Sequence, residues 1–346
     1  MADARNAFDF WLWPLQWSLD LAARAVAPEI VGKREIPWTT PNEIIADLTT
    51  MRLRRFSTSQ SGKRPALVVA PFAIHDAGIA DLAPGHSLVA ALESYGVGPV
   101  ALAEWKSATH ELAGLSIDSC LSDLNIAVDL VGAPGDLIGL CQGGWLSLLY
   151  AAALPRKVRR LVVAGSPVDL SFSSSIAQGA QFVLPDVLDE LIAAGGGVVS
   201  GKKSLAAFRA SGGAESEARG VLQVATLAPE IAAAFEAWNA RTLDLPGRYY
   251  ADVLNWLFRQ NRLAHGDFPV FGRPAPLSRA TAPLYLLAGA RDLVAPPAHV
   301  RAARDLVGAP PDRIEYAEAD CGHLSLFMGA RTLDMEWRRI AGWLRG

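Results

Sequence analysis

One ten-residue stretch limits the fold of this chain more than any other: Asp136-Leu137-Ile138-Gly139-Leu140-Cys141-Gln142-Gly143-Gly144-Trp145. It reads as the end of a buried strand, a very tight turn and the start of a helix. Gly139-x-Cys141-x-Gly143 is the spacing of a nucleophile elbow. In such a turn the central residue takes a strained backbone conformation, and the residues two before and two after it must be small. This chain carries cysteine where most such turns carry serine. A residue so placed stands at the top of a sheet, above the N-terminus of the following helix, an end that favours negative charge on the sulfur. The same letters also suit a strand-end turn around a small buried cysteine, because free cysteine is among the most buried residue types.

The rest of the chain bears on that choice. Its 346 residues can hold one large α/β domain with an insertion, or two domains. Hydrophobic residues make up 51% and charged residues only 19%, which implies a sizeable core. A net charge of −3 gives no electrostatic case for binding nucleic acid. The cysteines, Cys120, Cys141 and Cys321, are scattered without CxxC spacing, which suits a reducing cytosol rather than a disulfide framework. Met1–Arg5 lacks a clear basic region and Pro14 interrupts the apolar stretch after it, so no secretory signal is expected. No uninterrupted apolar run reaches about 18 residues, so no transmembrane helix is expected. No ligand cluster suggests a metal site.

Taken in order, the chain opens with an aromatic segment, residues 7–31, in which Phe8, Phe10, Trp11, Trp13 and Trp17 crowd together. An amphipathic helix there could lie on a membrane or a hydrophobic particle. Its sparse basic residues favour packing against its own domain or a partner subunit. A polar connector follows, with a short helix expected near Pro41–Leu53. A continuous apolar, β-branched run predicts a buried strand at 66–70, and further strands are expected at 100–104, 137–140, 161–165, 284–289 and 314–317. Helical spacing predicts helices at 87–94, 118–130, 143–153 and 333–344, with another from Ala298. Strands alternating with helices predict an α/β fold, a mostly parallel sheet with helices on both faces. The alternation stops over 171–280, which reads as an inserted cap over the strand ends, a place from which substrate entry is governed. The expected divisions are an N-terminal aromatic and helical segment (1–64), the first part of the core (65–170), the cap (171–280) and the second part of the core (281–346).

Two more residues follow strands in the order the elbow chemistry needs. Asp292 stands just after the strand at 284–289, and His323 stands in a Gly-His loop after the last strand. Nucleophile, acid, histidine is the chain order of the α/β-hydrolase fold. In this reading His323 takes the proton of the Cys141 thiol, and Asp292 fixes its tautomer and stabilises the imidazolium. The oxyanion would be held by the backbone N–H of Gln142 and a second one near Phe72–Ala73. His75, on the same loop, and Trp145 are candidates for the substrate's surroundings. Asp169, after the strand that follows the elbow, is the rival acid.

These residues resemble a known family. Leu137-Ile138-Gly139-Leu140-Cys141-Gln142-Gly143-Gly144 is similar to the lipase-like box of polyhydroxyalkanoate synthases, nearest their short catalytic subunits. The similarity continues in Pro155-Arg156-Lys157-Val158, Ser166-Pro167-Val168-Asp169-Leu170, Asn261-Arg262-Leu263, Gly272-Arg273-Pro274, Asp292–Pro297 and Gly322-His323. Leu293 stands where the family often has histidine. The resemblance implies that Cys141 carries a growing acyl chain, that His323 activates it and that Asp292 assists. It implies a 3-hydroxyacyl-CoA as substrate, polyester and CoA as products, and no cofactor. The partners implied are the acyl-CoA or polyester, a second synthase subunit or a second copy of the chain, and a granule surface in the cytoplasm. Hydrolysis by the same three residues, as in an intracellular polyhydroxyalkanoate depolymerase or a thioesterase, is the alternative. A granule-associated subunit with a vestigial site is a third reading.

Overall fold

A computed structural model of the chain describes residues 35–56, 64–174, 185–210 and 228–346. The aromatic segment 7–31 and residues 175–184 and 211–227 of the expected cap lie outside the described residues. An eight-stranded sheet organises the molecule: β1 (Glu43–Asp47), β2 (Met51–Arg55), β3 (Ala66–Val69), β4 (Val100–Trp105), β5 (Gly135–Leu140), β6 (Val158–Ala164), β7 (Leu284–Gly289) and β8 (Ile314–Ala319). Their spatial order is β1-β2-β4-β3-β5-β6-β7-β8. From β4 to β8 every neighbouring pair is parallel. Every residue of β3, β4, β5 and β7 is buried, which is why these strands read as apolar stretches rather than alternating ones, with Glu104 and Asp136 near the ends of β4 and β5 as the charged exceptions.

The expected mostly parallel α/β sheet is therefore present. Its helices include α1 (Leu88–Ser94), α2 (Ile117–Val131) and α3 (Gln142–Ala153). Ser87 caps α1 by accepting the N–H of Ala90, and Ser116 with Ser119 forms a capping box at the start of α2. Helix α3 is apolar all round, with ten of its twelve residues buried. Such a helix is held by its surroundings on every side, which makes its N-terminus a rigid platform.

The helix expected near Pro41–Leu53 is absent; that stretch is the β1–β2 hairpin, whose β2 pairs antiparallel with β4. The reason is visible in β2. Met51 and Leu53 are fully buried while Arg52 and Arg54, which alternate with them, are half-buried, a period of two. Asp123 of α2 holds the hairpin turn by accepting the Thr50 N–H at 2.6 Å and its hydroxyl at 2.8 Å.

Between β6 and β7 the described residues form α4 (Pro185–Ala194), α5 (Gly201–Ala210), α6 (Pro229–Ala240) and α7 (Gly247–Asp252), the last continued by a π-helical turn to Arg259. This stretch is fastened at the carboxyl end of the sheet. Arg241 Nε donates to Asp76 Oδ2 at 2.6 Å, and the Leu243 N–H donates to the Ile74 carbonyl at 2.8 Å. The Ala108 N–H donates to the Asp244 carbonyl at 2.8 Å. Residues 74–76 and 108 follow β3 and β4, so the insertion rests on the loops that leave the strand ends.

Candidate active site

Cys141 connects β5 to α3 with φ 49° and ψ −115°, a conformation that costs an L-residue on the order of 1–3 kcal/mol. The neighbouring glycines permit it. A Cβ on Gly139 would lie 2.5 Å from the Gly143 carbonyl oxygen, and one on Gly143 only 2.0 Å from the carbonyl oxygen of Val69. The helix can start this close to β3 and β5 only because side chains are missing at both places. The backbone N–H of Cys141 is spent on the Ala164 carbonyl at 2.9 Å, which pins the elbow to β6. The sulfur is left half-buried at the carboxyl end of the sheet.

His323 lies in the loop after β8, buried, with the ring of Phe327 edge-on at 5.3 Å. Asp292 lies in the loop after β7, also buried. Its Oδ2 is 2.7 Å from His323 Nδ1, and its Oδ1 accepts the N–H groups of Val294 and Ala295, both at 2.8 Å. The other side of the imidazole meets the Cys141 side chain in a hydrogen bond. Burial alone would lower the histidine pKa. The charges of Asp292 and Cys141 outweigh it, and the ring is held well above the ordinary histidine value. The three residues, 31 apart between acid and base and far more distant from the cysteine in sequence, thus meet at one point. Asp169 does not join them. Its Oδ1 accepts the Asn261 amide at 2.8 Å and the Ser171 N–H at 2.9 Å, fastening the start of the insertion to Asn261.

The remaining candidates separate. Gln142 is the first residue of α3, where the backbone N–H groups have no acceptor within the helix. Phe72 is buried, stacked on Trp105 at 5.2 Å, and Ala73 is half-buried beside it. Trp145 is fully buried in the core, its ring 5.9 Å from Phe268. His75 turns to the insertion: its Nδ1 is 3.0 Å from the Arg241 carbonyl oxygen and its ring 4.4 Å from Trp238. One residue that sequence reasoning passed over also reaches the site. The hydroxyl of Tyr249, from α7, stands 3.2 Å from the Phe72 carbonyl oxygen and 3.3 Å from Gln142 Oε1. The nearby Tyr250, Trp256 and Phe258 make this an aromatic stretch, the one local signal that Tyr249 carries.

A parallel sheet with a strained nucleophile position at the end of its central strand, and a histidine–carboxylate pair delivered by the last two strands, defines the architecture of α/β hydrolases. The chain belongs to the alpha/beta hydrolase fold family, which matches residues 107–330. Among curated proteins it is similar to the poly(3-hydroxyalkanoate) polymerase subunit PhaC of Haloferax mediterranei, 24% identical over 93% of this chain and 66% of that one. It is also similar to the corresponding subunit of Synechocystis, 26% identical over 88% of this chain and 84% of that one. The chain thus spans just under two thirds of the haloarchaeal subunit's length. Among solved structures it shares its fold with an enol-lactonase from Burkholderia xenovorans (TM-score 0.55, 17% identity, 88% of this chain and all of that one). A bromoperoxidase-like protein from Mycobacterium tuberculosis is similar to the same degree (TM-score 0.55, 16% identity, 88% of this chain and all of that one). No helix among the described residues is long and apolar enough to cross a membrane.

Proposed function

We propose that this chain is an acyltransferase of polyhydroxyalkanoate synthesis, in which Cys141, His323 and Asp292 act as one catalytic unit. The observation that carries the reading is the thiol, in place of a hydroxyl, at the strained elbow of a chain whose curated relatives are named poly(3-hydroxyalkanoate) polymerases. A thioester formed on Cys141 conserves the energy of the acyl-CoA, so passing the acyl group on to a hydroxyl stays downhill. An ester on serine would dissipate most of it.

The steps follow from the geometry. The Cys141 sulfur, its proton held by His323, attacks the thioester carbonyl of a 3-hydroxyacyl-CoA. The tetrahedral oxyanion is met by the backbone N–H of Gln142 and that of Ala73. The C–S bond to CoA breaks, and the CoA sulfur takes the proton from His323. The 3-hydroxyl of a second acyl unit then gives its proton to His323 and attacks the Cys141 thioester. A new ester bond forms and the thiolate returns. Asp292 holds the imidazole orientation throughout. Water at the second step would give the free acid instead, so exclusion of water by the insertion decides between transfer and hydrolysis.

The test uses the purified protein and Cys141→Ala with 3-hydroxybutyryl-CoA, following free CoA and the acyl product. CoA release with oligomer, absent in the variant, supports the proposal. Release with free 3-hydroxybutyrate alone makes the chain a hydrolase. No release in the presence of a second synthase subunit overturns the acyl-CoA substrate.

A further inference from the structure

Tyr249 is buried on α7, inside the insertion, yet its hydroxyl reaches both places from which the oxyanion donors come. Its ring packs on Phe72 at 4.7 Å, and Phe72 stacks in turn on Trp105, whose Nε1 donates to the Ala70 carbonyl at 2.7 Å. The loop leaving β3 is thus fixed by aromatic contacts on one side and by the tyrosine hydroxyl on the other. Burial, and then the charges of Cys120 and Cys141, push the tyrosine pKa well above its ordinary value, so the group remains a neutral hydrogen-bond donor.

A phenol has one proton, and here it has two oxygens within reach: Phe72 O at 3.2 Å and Gln142 Oε1 at 3.3 Å. Both contacts are satisfied if the Gln142 amide turns over, an exchange of two ends of the same shape. Gln142 Nε2–H then donates to Tyr249 Oη, and Tyr249 O–H donates to the Phe72 carbonyl. In a trans peptide the carbonyl and the following N–H point in opposite directions. Fixing the Phe72 oxygen on Tyr249 therefore aims the Ala73 N–H the other way.

We infer that Tyr249 is a positioning residue of the acyl-transfer site: its hydroxyl ties the side chain of Gln142 to the Phe72–Ala73 peptide and so holds the two oxyanion donors in register. This rests on the assignment of Cys141 as the acyl-accepting nucleophile, and it makes the donor pair depend on the seating of the insertion.

The test is Tyr249→Phe, which keeps the ring and removes only the hydroxyl. Acylation of Cys141 is followed with p-nitrophenyl butyrate, whose attack by a thiol passes through the same oxyanion whatever the natural acyl donor. It is repeated with 3-hydroxybutyryl-CoA. Alkylation by iodoacetamide, which forms no oxyanion, reads the thiol alone. We expect acylation slower by on the order of tenfold to a hundredfold, below the loss of a whole donor. The expected change lies in kcat with KM held, and alkylation is unchanged. Gln142→Ala combined with Tyr249→Phe should be no slower than the slower single variant, because both cut one connection. Equal acylation in Tyr249→Phe and the parent chain, parallel loss of alkylation, or multiplying effects in the double variant would each overturn the inference. Turnover of the nitrophenyl ester but not the CoA ester by the parent chain removes the proposed substrate and leaves the role of Tyr249 to be decided by the variant. Acylation of Cys141 by neither removes the nucleophile, and the inference with it.

Discussion

Asp292→Asn changes one charge and almost no shape, and its consequence can be worked out from the contacts of the two carboxylate oxygens. Oδ1 accepts two backbone N–H groups, from Val294 and Ala295, each at 2.8 Å, while Oδ2 faces His323 Nδ1 at 2.7 Å. An asparagine must keep its oxygen toward the two backbone donors, because an NH2 there would meet two N–H groups head on. Its NH2 then faces Nδ1 and donates to it. The imidazole proton is forced to the nitrogen facing Cys141, and the ring can no longer take the thiol proton. A base locked in that tautomer loses a factor on the order of 10³–10⁴ in rate. That corresponds to a barrier higher by about 4–5.5 kcal/mol. Stability should suffer far less, since the two backbone bonds and the packing remain. Rapid-quench measurement of acyl-Cys141 formation, beside a melting curve, tests both halves. An Asn variant that acylates within tenfold of the parent chain would refute the argument, because His323 would then take its tautomer from something other than Asp292.

Other outcomes follow from the same geometry. The folded-state pKa of His323 is raised, so its contribution to stability is fully present below about 6.5 and is lost as pH rises through the folded value. The gap in urea stability between the parent chain and Asp292→Asn should therefore narrow as pH climbs through that value; a widening gap would contradict the sign. Cys141→Gly should be more stable than Cys141→Ala by about 1 kcal/mol, because glycine adopts the φ of 49° without strain, and equal unfolding midpoints would count against strain at the elbow. Gly143→Ala should cost about 3 kcal/mol or more, or fail to fold, because the clashing atom is a backbone oxygen of a central strand rather than a side chain able to rotate away. Asp169→Asn should leave acylation nearly intact and lower stability modestly, since the carboxylate serves Asn261 and Ser171; a loss comparable to that of Asp292→Asn would reinstate it as the acid.

The strands, their parallel arrangement and the meeting of Cys141, Asp292 and His323 were legible because each carries a local signal: an apolar run, a glycine pair, a loop residue directly after a strand. The β1–β2 hairpin was not. Its strands are five residues each: the alternation of Met51 and Leu53 with Arg52 and Arg54 spans only four positions, and β1, Glu43-Ile44-Ile45-Ala46-Asp47, does not alternate at all. Tyr249 was invisible for a different reason. Its partners Phe72 and Gln142 lie 177 and 107 residues away, and no spacing within α7 encodes such contacts. The bond between Asp76 and Arg241 spans 165 residues and is hidden in the same way. His75 looked like a site residue from its loop alone, and its ring engages Trp238 and the Arg241 carbonyl of the insertion.

The outer strand of the sheet has a consequence for how this molecule behaves in company. Among the described residues β1 ends the sheet on one side, and a sheet edge invites another strand to add to it. Here the pairing of β1 with β2 slips in register between Ile44 and Ala46, a break in the regular ladder of the kind that bends a strand. Glu43 and Asp47 stand at its two ends, paired to Arg55 and Lys106. A rim that is short, kinked and charged at both ends is a poor template for accretion. At this edge, then, chains brought close together are not invited to join their sheets.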